Sequence, residues 1–108
     1  MLPEFSISSR LLPDVHIVSL KGELDIASAD GVADAIVAVD GATVVVDLSD
    51  LTFMDSTGIS ALVVARRRIL AEGEGQLVVT RPTPIVREAL EIVGLSEWIV
   101  EWSNDWDK

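Results

Sequence analysis

Hydrophobic residues follow two patterns along this chain: short apolar runs, and segments in which apolar residues recur at helical spacing. The runs predict β-strands and the spaced segments predict amphipathic helices. Residues 5–9 alternate apolar and polar positions, which predicts an edge strand, and the run at 15–21 after Pro13-Asp14 predicts its pairing partner. Residues 43–47 are β-branched and apolar on both faces, which is typical of a buried central strand.

One helix is predicted before that central strand in the sequence, and a second helix is predicted after it. The first follows two candidate capping residues, Asp25 and Ser28, and ends at Asp40-Gly41. The second covers residues 56 to about 72, after a loop at residues 49–55. The apolar positions of the first helix are Ala29, Val32, Ala33, Ile36 and Val37.

The rest of the chain continues the alternation of strands and helices. Residues 76–80 predict another buried strand, and residues 98–101 predict a last one. Thr83-Pro84 opens a third helix, with threonine as cap and proline in the first helical position, and Gly94 ends it. The apolar stripe of this helix is Ile85, Val86, Ala89, Leu90 and Val93. This order predicts a single α/β domain over residues 1–108, a small mixed sheet with helices packed on one side.

Composition narrows the classes of function. The length of 108 residues fits one domain. Eight basic and 18 acidic residues give a net charge of −10, which disfavours nucleic acid and anionic lipid as partners. The absence of cysteine excludes disulfides, thiolate metal sites and a cysteine nucleophile. No leader and no apolar run near the roughly 20 residues of a membrane span are visible, so we expect a cytoplasmic protein without a cofactor.

The most informative segment is Asp-Ser-Thr-Gly at residues 55–58, where the second helix begins. A helix start carries unpaired backbone N–H groups and the positive end of the helix dipole. One interpretation is capping, in which Asp55 or Ser56 accepts hydrogen bonds from these groups. The other is a phosphate acceptor at Ser56, because the same N–H groups can hold a phosphate. The two interpretations are compatible.

Three motifs together resemble the signature of anti-sigma factor antagonists, the bacterial STAS domains. They are Phe-Met-Asp-Ser-Thr-Gly at residues 53–58, Gly-Glu-Leu-Asp at residues 22–25, and Gly-Leu at residues 94–95 before an apolar strand. The resemblance covers residues 5 to about 101 and implies a single STAS domain. A short acidic tail at residues 102–108, which holds two of the three tryptophans, departs from family members that carry a further helix there.

The resemblance implies a non-enzymatic switch in transcription regulation. In such proteins the serine after the aspartate, here Ser56, is phosphorylated by a partner that is both anti-sigma factor and serine kinase, with Thr57 as the weaker candidate. The unmodified chain would bind that partner, phosphorylation would end binding, and a serine phosphatase would reverse it. A phosphate of about −1.5 to −2 charge would meet like charge from Asp55 and, by the resemblance, from Asp25.

The second helix, phased at about 100° per residue, has two distinct sides. The expected core positions are Ile59, Leu62, Val63, Ile69 and Leu70. One expected partner-binding residue, Asp25, is placed nearby by the resemblance. The others lie on the other side of the helix or at its start: Asp55, Ser56, Thr57, Gly58, Ser60, Ala61, Val64 and Arg68. The alternative is an ordinary solvated helix face, because isolated exposed valines are normal. We expect a monomer or weak dimer.

Two other roles stay open within the same resemblance. One is an accessory subunit of a lipid or anion transporter, and the other is a component of a stress-sensing scaffold. Metal binding by Asp47, Asp50 and Asp55 is disfavoured, because aspartates are also common in turns. His16 is interpreted as a strand histidine, and Trp98 as a core residue of the last strand.

Overall fold

The computed structural model describes residues 4–37, 43–71, 73 and 75–101. Within them the strands are β1 (Ser6–Leu11), β2 (Val15–Leu24), β3 (Thr43–Met54), β4 (Gln76–Thr80) and β5 (Ile99–Val100). The helices are α1 (Val32–Ile36), α2 (Ser56–Ala71) and α3 (Pro84–Ile92), and a 3-10 turn covers Ser96–Trp98. None of these helices is both long enough and apolar enough to cross a membrane.

The five strands form one mixed sheet in the order β1-β2-β3-β4-β5. β1 pairs with β2 in antiparallel register, and every later neighbour is parallel. Each parallel connection steps in the same direction along the sheet, so right-handed crossovers place all three helices on one face. The predicted mixed sheet with helices packed on one side is therefore confirmed.

The core lies between that sheet face and the helices. Alternate residues of β3 join buried residues of all three helices in one hydrophobic cluster, which includes Val44, Val46, Leu48, Val32, Ile36, Leu62, Ala65, Val86 and Leu90. Val45, which points to the opposite face of the sheet, is also completely buried. β3 is thus covered on both faces, as its apolar sequence predicts.

β3 is much longer than predicted, and the prediction of a loop at residues 49–55 is wrong. The strand continues to Met54 because its pairing with β2 continues through two register shifts, one of them between Gly22 and Glu23. Ser49 and Asp50 have turn-like chemistry but lie exposed within the strand. Long-range pairing therefore overrides the local turn signal.

α1 begins later than predicted. Its N-cap is Gly31, whose φ of 84° is in the left-handed region that favours glycine, so Asp25 and Ser28 do not cap the helix. They instead hold a turn ahead of it, in which the Ala27 N–H donates to Asp25 Oδ1 at 2.9 Å. The predicted end at Asp40-Gly41 lies outside the described residues.

α3 starts at Pro84 as predicted, but Thr83 does not cap it through its side chain. The Thr83 hydroxyl donates to the Leu51 carbonyl oxygen at 3.0 Å, which ties the helix start to β3. At the other end Gly94 follows the C-cap with a φ of 79°, and the Leu95 N–H donates to the Leu90 carbonyl oxygen at 2.9 Å, so the predicted stop at Gly94 is confirmed. The predicted stripe is correct for Val86 and Leu90 and wrong for Ile85 and Val93, which are 55% and 49% exposed.

Trp98 is buried in the core, as predicted, but it lies in the 3-10 turn and not in a strand. The last strand is accordingly short, and contains Ile99 and Val100. The Arg66 guanidinium lies 5.0 Å from the centre of the Trp98 ring, a cation–π contact that joins α2 to this turn. The tail at residues 102–108 lies outside the described residues.

Candidate functional site

The start of α2 is capped by Asp55. Its Oδ1 accepts hydrogen bonds from the backbone N–H groups of Thr57 at 2.9 Å and Gly58 at 3.0 Å. A side-chain acceptor at this position satisfies donors that the helix itself leaves open. Of the two capping candidates in the sequence, the structure selects Asp55.

Ser56 is the first residue of α2, and it is exposed. It therefore presents a hydroxyl at the surface, beside the positive end of the helix dipole, while the neighbouring carboxylate performs the capping. Thr57 is less accessible than Ser56. Two adjacent side chains of the motif therefore have different roles: Asp55 caps the helix, and Ser56 presents an exposed hydroxyl.

Gly58 lets the first turn of α2 pack directly on the end of β2. A Cβ at this position would lie 2.6 Å from the Leu24 carbonyl oxygen and 2.9 Å from Cγ of Met54. The Asp55 N–H also donates to the Leu24 carbonyl oxygen, at 3.2 Å. The helix start is thus fixed against β2 by a steric fit and a backbone hydrogen bond.

The same contact brings two of the sequence motifs together. Leu24 pairs with Met54 across the β2–β3 ladder, so Asp25 and Asp55 each follow a member of one strand pair. Both motifs therefore end at the carboxyl edge of the sheet, beside Ser56. The structure therefore brings residues 22–25 and 53–58 together, a point that no local pattern in the sequence could establish.

The outer face of α2 forms one wall of a shallow cleft. Ser60 and Val64 are exposed, and Thr57 and Ala61 are partly exposed. The other wall of this cleft of about 270 Å³ lies at and before the start of α1 and consists of Ala29, Asp30, Gly31, Ala33 and Asp34. We call it the α1/α2 cleft. The amino-acid sequence gives no signal for the second wall, because the phase of one helix says nothing about its neighbour.

Arg68 pairs with Asp34 of α1, with Nη1 and Oδ1 2.7 Å apart. Both side chains are largely exposed, so the pair adds little stability but does connect the two walls of the cleft. Arg68 was expected on the outer side of α2 and is found there. Its charge is already engaged within the chain.

The buried side of α2 is shifted from the predicted one. The buried residues Gly58, Leu62, Ala65 and Ile69 follow helical spacing, and Ile59 and Val63 flank them with partial burial. Leu70 is 46% exposed, so its assignment to the core is wrong. It lies about 100° around the helix from Ile69 and falls outside the buried stripe.

Two of the three aspartates considered for a metal, Asp47 and Asp55, have other roles, and Asp50 is exposed. Asp47 is buried and forms an ion pair with Arg81, and its Oδ1 accepts a hydrogen bond from the Ser49 N–H at 3.0 Å. Burial alone would raise the pKa of Asp47, but hydrogen bonds from Arg81 and Ser49 outweigh it and lower the pKa. Asp55 caps α2, as described above. The residues described form no cluster of three acidic, histidine or cysteine side chains able to hold a metal ion.

The fold and the site together define the class of this protein. It is a small α/β domain in which a mixed sheet, covered by helices on one face, carries an exposed, aspartate-capped helix start at its carboxyl edge. The model of the STAS domain family matches residues 6–107, and the chain belongs to this family.

Relatives within the family have names that bear on its role. An anti-sigma F factor antagonist from Lysinibacillus sphaericus is 30% identical over 93 residues, which cover 82% of this chain and 79% of the relative. An anti-sigma factor antagonist from Mycobacterium paratuberculosis has a similar structure, with a TM-score of 0.79 and 24% identity over 96% of this chain and 90% of that one.

The anti-sigma factor antagonist SpoIIAA of Bacillus is similar in two forms. Its unphosphorylated form has a TM-score of 0.76 and 22% identity, over 96% of this chain and 92% of that one. Its phosphorylated form has a TM-score of 0.70 and 21% identity, over 96% of both chains. At these identities the structural likenesses establish the fold alone.

Proposed function

We propose that this chain is an anti-sigma factor antagonist controlled by phosphorylation of Ser56. In its unphosphorylated form it binds an anti-sigma factor that is also a serine kinase, and the sigma factor is released. The partner transfers the γ-phosphoryl group of ATP to the Ser56 hydroxyl, which ends binding, and a serine phosphatase removes the phosphate. The chain supplies the acceptor hydroxyl and a docking face and catalyses no step.

The observation that carries this proposal is the division of roles at the start of α2. Asp55 caps the helix through the Thr57 and Gly58 N–H groups, and Ser56 stands exposed beside it. Phosphorylation of Ser56 therefore leaves the cap in place. The positive end of the helix dipole stabilises the added charge in the free protein, so the modified chain stays folded.

The effect on binding follows from charge and hydration. A phosphate adds about −1.5 to −2 charge and three strongly hydrated oxygens to a surface that already carries Asp55 and Asp25. A partner that docks on this surface must remove water from the phosphate and tolerate the combined negative charge. The expected consequence is loss of affinity without refolding.

The α1/α2 cleft supports the same function because it starts at Thr57, the residue after Ser56, and continues along α2. Its lining includes Thr57, Ser60, Ala61 and Val64. Small side chains and a half-exposed valine allow close approach of another protein surface. The name of the Lysinibacillus sphaericus relative and the phosphorylated form of SpoIIAA support the choice of partner and modification.

The acceptor can be identified by phosphorylation in vitro. The purified chain is incubated with ATP and with each serine-kinase anti-sigma factor encoded in the same genome, and phosphopeptides are located by mass spectrometry. We expect phosphate on Ser56, none on the Ser56→Ala variant, and a normal level on the matched Thr57→Ala variant. Phosphate on Thr57, or no phosphate with any such kinase, would contradict the proposal.

Co-purification separates this function from the two other roles. A tagged copy expressed in its native cell is expected to bring down a small ATP-binding anti-sigma factor. Recovery of a transport ATPase or permease would favour the accessory-subunit role, and recovery of a large multi-protein particle would favour the scaffold role.

A further inference from the structure

Ile26 is 79% exposed, more than any other large hydrophobic side chain among the described residues. A single exposed hydrophobic residue is ordinary on a protein surface. Ile26 differs from an ordinary exposed residue because its backbone is held in a hydrogen-bonded turn and because it lies at the same edge of the sheet as Ser56.

Ile26 is at the tip of a turn closed by hydrogen bonds on both sides of it. The Ser28 and Ala29 N–H groups donate to the Asp25 carbonyl oxygen at 3.0 and 2.9 Å. The Ser28 hydroxyl donates to the Glu23 carbonyl oxygen at 2.7 Å and accepts from the Asp25 N–H at 2.9 Å. This network fixes the backbone beneath Ile26, so a partner would not have to order the turn on binding.

The turn lies at the same edge of the sheet as Ser56. Ile26 lies two residues after Leu24, and Ser56 lies two residues after Met54, the pairing partner of Leu24 in the sheet. The backbone hydrogen bond from the Asp55 N–H to the Leu24 carbonyl oxygen joins the two segments at this point. A protein that covers Ser56 therefore meets Ile26 at the same edge.

The surroundings of Ile26 are acidic. Asp25 precedes it, Asp30 and Asp34 border the adjoining α1/α2 cleft, and the chain as a whole carries a net charge of −10. Arg68, on the outer side of α2, is engaged with Asp34. A complementary partner surface combines an apolar socket with a basic rim.

We propose that Ile26 is an apolar anchor for the anti-sigma factor, seated in a basic-rimmed socket on that partner. This inference rests on the proposed function and adds a specificity-determining residue to it. Interfaces concentrate binding energy in a few preorganised side chains near the centre of the contact. The Ser56 hydroxyl and the Ile26 side chain then provide two separate elements of one interface, the first regulated and the second constant.

The test compares Ile26→Ala with Ile92→Ala. Ile92 is a matched control because it is 75% exposed and lies at the end of α3, at the opposite edge of the sheet. Affinities are measured by calorimetry for the anti-sigma factor that phosphorylates Ser56. We expect Ile26→Ala to weaken binding by about tenfold or more, and Ile92→Ala to stay within about twofold of the unmodified chain. Both variants should unfold at nearly the wild-type temperature.

The outcomes separate this inference from the proposed function. If the wild-type chain binds the anti-sigma factor and Ile26→Ala binds equally well, the anchor is wrong and the proposed function stands. If Ile92→Ala weakens binding as much as Ile26→Ala does, the effect is not specific to this edge, and the anchor is again wrong. If the wild-type chain binds no serine-kinase anti-sigma factor, both proposals are overturned.

Discussion

Gly58 is the residue at which the site tolerates the least change. Alanine would favour the helix by about 1 kcal/mol, but its Cβ would lie 2.6 Å from the Leu24 carbonyl oxygen, and overpacking of this kind costs about 1–3 kcal/mol. Because the nearest atom belongs to the backbone, the clash cannot be relieved by a rotamer change. The difference between these two effects leads us to expect that Gly58→Ala lowers the free energy of unfolding by about 1 kcal/mol, measured by urea denaturation.

Ser60→Ala is the matched control for that experiment. Ser60 is exposed in the same helix, so this change should leave stability equal or slightly higher, by about 0.5 kcal/mol at most. If the Gly58→Ala variant is as stable as the Ser60→Ala variant, then α2 does not pack on β2 as described.

His16 makes the stability of the domain depend on pH. His16 lies in β2, as predicted, and its buried Nδ1 has no hydrogen-bond partner in the part of the chain that the structure describes. Burial lowers the pKa of His16 from its usual value of 6.5. The unfolded chain therefore takes up a proton near pH 6.5 that the folded chain does not take up until lower pH, so stability falls as pH falls through this range.

His16→Gln should reduce that loss of stability, because the glutamine side chain does not titrate. The check is the free energy of unfolding by urea at about pH 7.5 and about pH 5.5, which lie on either side of the usual histidine pKa. Asp47 does not interfere, because its lowered pKa places its own loss of stability below the usual aspartate value of 3.8. An equal drop in both proteins would contradict the assignment to His16.

At the scale of elements, the cap of α2 rests on the acceptor oxygen that Asp55 presents to two backbone N–H groups. Asp55→Asn keeps an oxygen for the Thr57 and Gly58 N–H groups, whereas Asp55→Ala removes it. We expect Asp55→Ala to lower the free energy of unfolding by about 1 kcal/mol and Asp55→Asn to lower it by less than about half of that. Thermal or urea denaturation of the two variants measures this difference, and equal losses would argue against the cap.

The outer face of α2 can be tested with two residues of nearly equal exposure. Val64 is 44% exposed and lines the α1/α2 cleft, and Leu70 is 46% exposed in the last turn of the helix, outside it. Val64→Glu is expected to weaken anti-sigma factor binding by about tenfold or more, and Leu70→Glu by less than about threefold. Similar losses in both variants would place the partner elsewhere or indicate a non-specific effect of charge.

The elements that could be predicted are those specified by local patterns. β4 matches the predicted residues, and α2 starts where its motif indicates. The errors arise where distant residues decide. β3 extends through turn-like residues because β2 pairs with them. The Thr83 side chain does not cap α3 because its hydroxyl donates to the Leu51 carbonyl oxygen instead.

At the scale of the whole molecule, sheet order and register create the site. The sequence predicts an α/β domain, and the resemblance places Asp25 near Asp55, but the contact itself depends on the pairing of Leu24 with Met54. The α1/α2 cleft and the exposure of Ile26 also depend on packing between separate segments. Neither has a local signature, so sequence patterns alone could not reveal them.

In the proposed function, one phosphate at the carboxyl edge of this sheet decides whether the chain binds its partner. The most direct measurement is the affinity of the anti-sigma factor for the unmodified chain, for the Ser56-phosphorylated chain and for Ser56→Ala. We expect Ser56→Ala to bind like the unmodified chain, and the phosphorylated chain to bind at least about tenfold more weakly while it unfolds at the same temperature. Equal affinity of the phosphorylated and unmodified chains would contradict the account.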